Sequence, residues 1–112
     1  IMNAIAQNYP VVFGMFVDEA FGNYSAAGPI DNATVIHSVN RNDPRGGGHM
    51  LSIVGYRVRS NGVHFLVLNS WGRAWGCNGL CWIHESLIAT SAPAGSGDFY
   101  VMQVTTQEAA AT

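Results

Sequence analysis

Two stretches decide the reading of this chain: Gly46-Gly47-Gly48-His49-Met50-Leu51-Ser52-Ile53-Val54-Gly55-Tyr56, and Phe65-Leu66-Val67-Leu68-Asn69-Ser70-Trp71-Gly72-Arg73-Ala74-Trp75-Gly76-Cys77-Asn78-Gly79. Met50 to Val58 reads as a strand, Ser60-Asn61-Gly62 as a hairpin turn, and Val63 to Leu68 as the strand that returns beside the first. Strands of similar length on either side of that turn bring His49, where one begins, to the same end of the ladder as Asn69, where the other stops.

Before the hairpin, Asn40 to Gly48 is polar and rich in glycine and proline, and is read as loop throughout. Earlier still, Val11 to Val17 (VVFGMFV) is a continuous apolar run typical of a strand covered on both faces. Ile1 to Gln7 carries apolar residues at 1, 2, 4 and 5, which predicts a turn or two of helix ending before Tyr9-Pro10. Asp18 to Ser25 is mixed, and Ala26-Ala27-Gly28-Pro29 is a turn. Val35 to Val39 has the composition of a short edge strand. After the hairpin, Asn69 to Gly79 is a loop, Leu80 to His84 a short strand and Glu85 to Thr90 a helical turn. Asp98 to Val104 is a closing strand, and residues 105–112 form an alanine-rich tail expected to fray. The class is α+β, mainly an antiparallel sheet or barrel with a short N-terminal helix.

The chain has 112 residues, 48% of them hydrophobic and 11% charged, enough for one core. Its five basic residues are all arginine and are scattered, and the net charge is −2, so no patch suited to a phosphate backbone exists and nucleic acid is not an expected partner. No apolar run reaches the length of about 18 residues that a membrane span needs, so no membrane partner is expected either. An opening at Ile1 inside a helical segment suggests a chain excised or processed from a longer one. Cys77 and Cys81, four apart, form no disulfide framework and leave the redox compartment open.

Four histidines compete for a chemical role. His37, His64 and His84 read as structural: His64 lies mid-strand among apolar neighbours, and His84 closes a strand beside Glu85. His49 differs, because three glycines let the backbone approach other groups while an apolar strand holds the imidazole rigidly. A general base so mounted needs an orienting group, and Asn69 supplies an amide oxygen for that purpose without adding charge. Trp71, two residues on, is placed to shield such a bond from water. Residue chemistry alone leaves His49 between this role and that of a satisfied strand histidine.

The blocks GGH followed by an IVGY strand, and NSWGxxWGxxG, in this order and at this separation, resemble the C-terminal, right-hand half of the papain-like cysteine peptidases. Pro10 to Val17 is similar to the first right-domain strand of bacterial-type members, and Asp98 to Val101 to their closing strand, so the resemblance covers nearly the whole chain. It implies a thiol peptidase that works through a thioester acyl-enzyme, with His49 as the base paired to the thiolate, Asn69 as its orienter and Trp71 as the cover of the pair on the primed side. Gly47, Gly48, Met50 and Gly14 would line the pocket for the substrate side chain second from the scissile bond, and Trp75 would hold the loop by packing. No cofactor or metal is implied. The family's nucleophile motif is missing: neither Gln7 nor Gln103 is followed by a suitably spaced cysteine. Cys77 and Cys81 lack the helix-start setting that lowers a thiol pKa.

The implied partners are a protein or peptide substrate and a cysteine-bearing left-hand half, from the same precursor or a separate chain. Without that half, an exposed apolar face would call for a second copy or a bound inhibitor. A secreted, vesicular or exported setting fits this class. Two other readings share these residues: a papain-like module that binds protein without cutting it, and a thiol-dependent transferase or deamidase on the same fold.

Overall fold

The computed structural model describes residues 2–7, 9–91 and 99–101, with 3, 4, 89–91 and 99–101 described by backbone alone. Its strands are β1 (Val11–Val17), β2 (Gly47–Arg59), β3 (Gly62–Leu68), β4 (Leu80–His84) and β5 (Phe99–Val101). They form one antiparallel sheet in the order β4-β3-β2-β1-β5. Three short helices flank it: α1 (Met2–Ala6), α2 (Glu19–Gly22) and α3 (Glu85–Ser91).

β1 lies inside the sheet with neighbours on both edges, and five of its seven residues are buried. Val11, Phe13, Met15 and Val17 face the core, whereas Val12 and Phe16 on the other face are half-buried and Gly14 borders a cavity, so the cover expected on both faces is present on one. Phe13, Met15, Leu51, Ile53 and Val67 form one core, sealed by Phe21 from α2 and by Leu87 and Ile88 from α3. α1 packs on β2 and adds Ile5 to the margin of that core. The tight β2–β3 connection requires a glycine at 62, where φ is +124° and a Cβ would lie 2.9 Å from both Glu85 Oε2 and His84 Nε2.

Two other expectations need correcting. Val35 to Val39 is not a strand: Ile36 alone bridges to Ile83, giving its N–H to the Trp82 carbonyl and accepting from the His84 N–H. On either side of the segment the chain is tied to other elements, the Thr34 carbonyl accepting from the Tyr24 hydroxyl and the Asn40 N–H donating to Asp18. Nor does the loop run to His49, because β2 begins at Gly47, with Gly47 opposite Val17 and Gly48 opposite Phe16. The pull here is the partner strand, which extends two residues past the point that β-branched composition would mark. Of the closing strand expected over 98–104, β5 is the described part; the remaining positions, and the tail at 105–112, lie outside the described residues.

Candidate active site

His49 and Asn69 meet because of an irregularity. Below the β2–β3 turn the register pairs Gly55 with Leu66, but beyond Val54 it pairs Ile53 with Val67 and Ser52 with Leu68. The extra residue is a β-bulge, and it moves the start of β2 by one position relative to β3. Continued one step, the shifted register sets Leu51 opposite Asn69, so His49, two residues before Leu51, projects from the same face as the amide. On the other side Met15 of β1 stands opposite His49 and is 1% exposed, which braces the histidine from below.

The resulting contact joins His49 Nε2 and Asn69 Oδ1 at 2.8 Å. The Ser70 N–H also reaches Asn69 Oδ1, at 2.8 Å. A backbone N–H can only donate, so the atom between the two donors is the amide oxygen. His49 must then carry its proton on Nε2, and in the neutral ring the lone pair stands on Nδ1. Asn69 is 5% exposed, and its Nδ2 has no hydrogen-bond partner among the described residues. Leaving a buried amide N–H unmet costs about 1–3 kcal/mol, so the site carries an unfilled donor.

Trp71 stacks on the imidazole with ring centroids 4.4 Å apart and an interplanar angle of 22°. It is held in turn by an edge contact to Phe21 at 6.0 Å. Phe21 sits in α2, whose N-cap Asp18 accepts the Phe21 N–H at 2.8 Å. Trp75 is 5% exposed and donates from Nε1 to the Phe21 carbonyl at 2.8 Å, so it anchors this loop to α2 as packing had suggested. The loop then turns at Asn78 and Gly79, both at positive φ, and Cys77 and Leu80 exchange backbone hydrogen bonds across the turn.

Two cavities flank His49. One, of about 460 Å³, is lined by Gly14, Gly48, Met50, Met15 and Ser70 as well as His49 itself. The other, of about 430 Å³, lies on the Trp71 side and includes Gly47, Gly48, Asp18 and Glu19 in its wall. The structure therefore gathers Gly14, Gly48 and Met50 around one space and places Gly47 on the other, with Gly48 shared. A Cβ at Gly47 or Gly48 would meet nothing within 4 Å. Their lack of a side chain is what opens both spaces next to the imidazole.

Neither cysteine lines the two cavities beside His49. Cys81 is fully buried and burial pushes its thiol up to about 12. Cys77, also buried, points its Sγ at the Gly28 carbonyl 3.2 Å away. The two thiols are free, without a disulfide between them.

This fold and this site can be set against known proteins. The family model described as papain family cysteine protease matches residues 1–93. The chain belongs to the papain family of cysteine proteases. Among curated relatives it is 29% identical over 106 residues to an uncharacterised peptidase C1-like protein of Acanthamoeba polyphaga mimivirus, covering 95% of this chain and 32% of that protein. It is 33% identical over 76 residues to cysteine proteinase 3 of Entamoeba histolytica, covering 68% of this chain and 23% of that protein. The chain thus spans a third or less of the curated papain-family relatives it matches. Two solved structures share the fold. The bromelain protease of Ananas comosus, in complex with the E64 inhibitor, aligns with a TM-score of 0.58 and 22% identity, over 92% of this chain and 44% of that one. The ragweed pollen allergen Amb a 11, a cysteine protease in its proform, aligns at 0.61 and 21%, over 93% and 26%.

One group of residues escaped the reading of the sequence. His37, His64 and His84, each taken singly as structural, lie together, with ring centroids 4.9 to 6.4 Å apart. Only the strand register, which sets His64 opposite His84, reveals this.

Proposed function

We propose that this chain supplies the base and the orienting amide of a papain-type cysteine endopeptidase, and that the nucleophilic thiol comes from a segment outside these 112 residues. The observation that carries the reading is the His49 Nε2 to Asn69 Oδ1 contact at 2.8 Å, made under the stacked ring of Trp71. It leaves Nδ1 as the basic nitrogen, at the junction of two cavities where a peptide has room to pass. The unfilled Asn69 Nδ2 and the buried, unreactive setting of Cys81 both fit a site completed from elsewhere.

In this reading Nδ1 takes the proton of the incoming thiol, giving a thiolate beside an imidazolium whose Nε2–H stays on Asn69. The thiolate attacks the scissile carbonyl carbon. As the C–N bond breaks, Nδ1 returns its proton to the leaving amine and a thioester remains. Nδ1 next draws a proton from water, the hydroxyl attacks the thioester, and the acid departs as the thiolate is restored. Trp71 excludes water from the Nε2–Asn69 bond through both steps, which keeps the ring from rotating. The glycine-walled space formed by Gly14, Gly48 and Met50 takes the side chain second from the scissile bond, and the space beside Gly47 and Trp71 takes the primed side.

The test is mass spectrometry of the full-length gene product after exposure to a thiol-directed epoxide inhibitor. Labelling of a cysteine outside residues 1–112, abolished by His49→Ala, is expected. Labelling at Cys77 or Cys81, or of no cysteine at all, would overturn the proposal.

A further inference from the structure

The end of the β2–β3 hairpin remote from His49 holds a second ionisable cluster, which the catalytic reading does not use. On β3, His64 is 4% exposed; its Nδ1 accepts from Arg57 Nε at 3.1 Å, and its Nε2 faces Asn61 Oδ1 at 3.0 Å. His84, opposite it on β4, directs Nε2 to the Asn61 carbonyl at 2.7 Å, while its Nδ1 accepts the Ser86 N–H at 3.1 Å and meets Ser86 Oγ at 2.7 Å. His37 stacks on His84 at 4.9 Å and meets His64 edge-on at 6.4 Å.

Both hydrogen-bond patterns require neutral rings with the proton on Nε2, because Arg57 Nε and the Ser86 N–H can only donate. The two Nε2 atoms converge on Asn61, that of His64 on its amide oxygen and that of His84 on its carbonyl. No three metal-binding side chains among the described residues are placed to share an ion.

Arg57 carries the cluster's influence further. Its guanidinium lies 4.0 Å over the Trp82 ring and donates from one terminal nitrogen to the Asp31 carbonyl at 2.9 Å. Trp82 Nε1 donates to the Ile30 carbonyl at 2.8 Å. The 3₁₀ turn at Ile30–Asn32 is thus tied to the sheet through Arg57, and Arg57 is set in place by His64.

We propose that His64, with Arg57, His84 and His37, forms an acid-labile clasp that fastens the 30–32 turn and the hairpin tip to the sheet at neutral pH and lets go on mild acidification. Protonating His64 Nδ1 removes the acceptor for Arg57 and sets two cations face to face. The groups bearing on His64 carry positive charge or gain it on protonation: Arg57 and Arg59 from β2, His84 from β4 and His37 from the preceding loop. Acidic groups lie nearby but serve others. Asp31 acts on Arg57, and Glu85 of α3 accepts the Val63 N–H on the His84 side of the cluster.

Burial first, then these cations, hold the His64 imidazole below its ordinary value of 6.5. The unfolded chain therefore binds a proton here at a higher pH than the folded chain does. The clasp's contribution is whole above about 6.5 and is lost as pH falls from there towards the lower folded value. This inference stands apart from the catalytic reading, since neither His49 nor Asn69 takes part.

The experiment uses the full-length gene product, with imidazole nitrogen NMR and thermal unfolding followed from pH 7.5 down to 5. His64 is expected as the Nε2–H tautomer titrating below 6.5, with the unfolding temperature dropping across that range and the drop flattened in His64→Gln. Should that variant fail to fold, Arg57→Gln in the same titration moves His64 upward towards 6.5. His64 titrating at or above 6.5 in the wild type, an unchanged acid loss in His64→Gln, or no movement in Arg57→Gln would each overturn the clasp.

Discussion

Three consecutive glycines precede His49, and the structure predicts that they respond to alanine in opposite ways. A Cβ on Gly46 would lie 2.3 and 2.5 Å from ring carbons of Phe16 and 2.8 Å from the Val17 carbonyl oxygen. Carbon atoms at rest sit about 3.5–4.0 Å apart, so the overlap with the ring exceeds about 1 Å. The ring would have to swing aside, and the carbonyl, which cannot, belongs to β1 at the point where Val17 pairs with Gly47. Relief requires the strand to move, which places Gly46→Ala at the severe end of overpacking, a loss of about 2–3 kcal/mol. Gly47 and Gly48 are extended, with nothing within 4 Å of the point a methyl would occupy, and alanine there should be neutral or stabilise by about 0.4–1 kcal/mol by restricting the unfolded chain. Urea unfolding of the three variants beside the wild type measures the difference. The reasoning is refuted if Gly46→Ala stays within about 0.5 kcal/mol of the wild type, the range of an ordinary surface change, or if Gly47→Ala matches its loss. Gly48→Ala then becomes a clean probe of function, because it narrows both cavities beside His49 without a penalty in stability.

Three further substitutions or reagents probe the site and its surroundings. Asn69→Ala removes the acceptor for both His49 and the Ser70 N–H; at about 1–1.5 kcal/mol for each bond, kcat/KM of the full-length gene product on a peptide substrate should fall about 30-fold to 150-fold, and an unchanged value would exclude the orienting role. Cys81, with its thiol at about 12, is ionised at pH 8 in only roughly one molecule in ten thousand, so a thiol reagent should modify it only on unfolding; rapid labelling in the folded state would contradict the burial. The Glu19 and Arg45 N–H groups hold the Asp43 carboxyl below its ordinary 3.8, so the stability it lends is present above that value and lost as pH falls through the lower folded one. Asp43→Asn should therefore show a shallower acid loss below pH 3.8 than the wild type, read by acid unfolding, and parallel curves would refute the assignment.

What could be read from residues alone was whatever depends on local pattern. The hairpin followed from two strand-like runs joined by the turn signal Ser60-Asn61-Gly62, and β1 from an unbroken apolar run. The spacing of His49 and Asn69 about that turn was enough to place them at one end of the ladder. Composition over-read Val35–Val39, because β-branched residues look alike whether they pair along a ladder or, as here, make a single bridge, Ile36 to Ile83. The histidine cluster lay beyond reach for a different reason. His64 and His84 are adjacent only through the β3–β4 register, and His37 arrives from a loop 27 positions before His64, so nothing in the local chemistry of each ring announces the others.

The bulge at Val54 shows why placing two residues at the same end of a hairpin is not yet placing them in contact. With the register that runs from Arg59 opposite Gly62 to Gly55 opposite Leu66 continued unbroken, Asn69 would stand opposite Ser52. Ser52 lies three residues from His49, an odd separation, so the imidazole and the amide would project from opposite faces of the sheet. One additional residue restores the parity and sets Asn69 opposite Leu51, on the face where Leu51 and Ile53 are buried. Val54 absorbs the insertion at the surface, 40% exposed, while next to it Gly55 already has Leu66 3.4 Å from where a Cβ would be. The alternation of apolar residues along β2 cannot reveal such a shift, since both of its faces carry apolar side chains. The face on which the dyad forms is thus set by strand pairing rather than by local preference, and a residue with no chemistry of its own determines whether His49 meets Asn69.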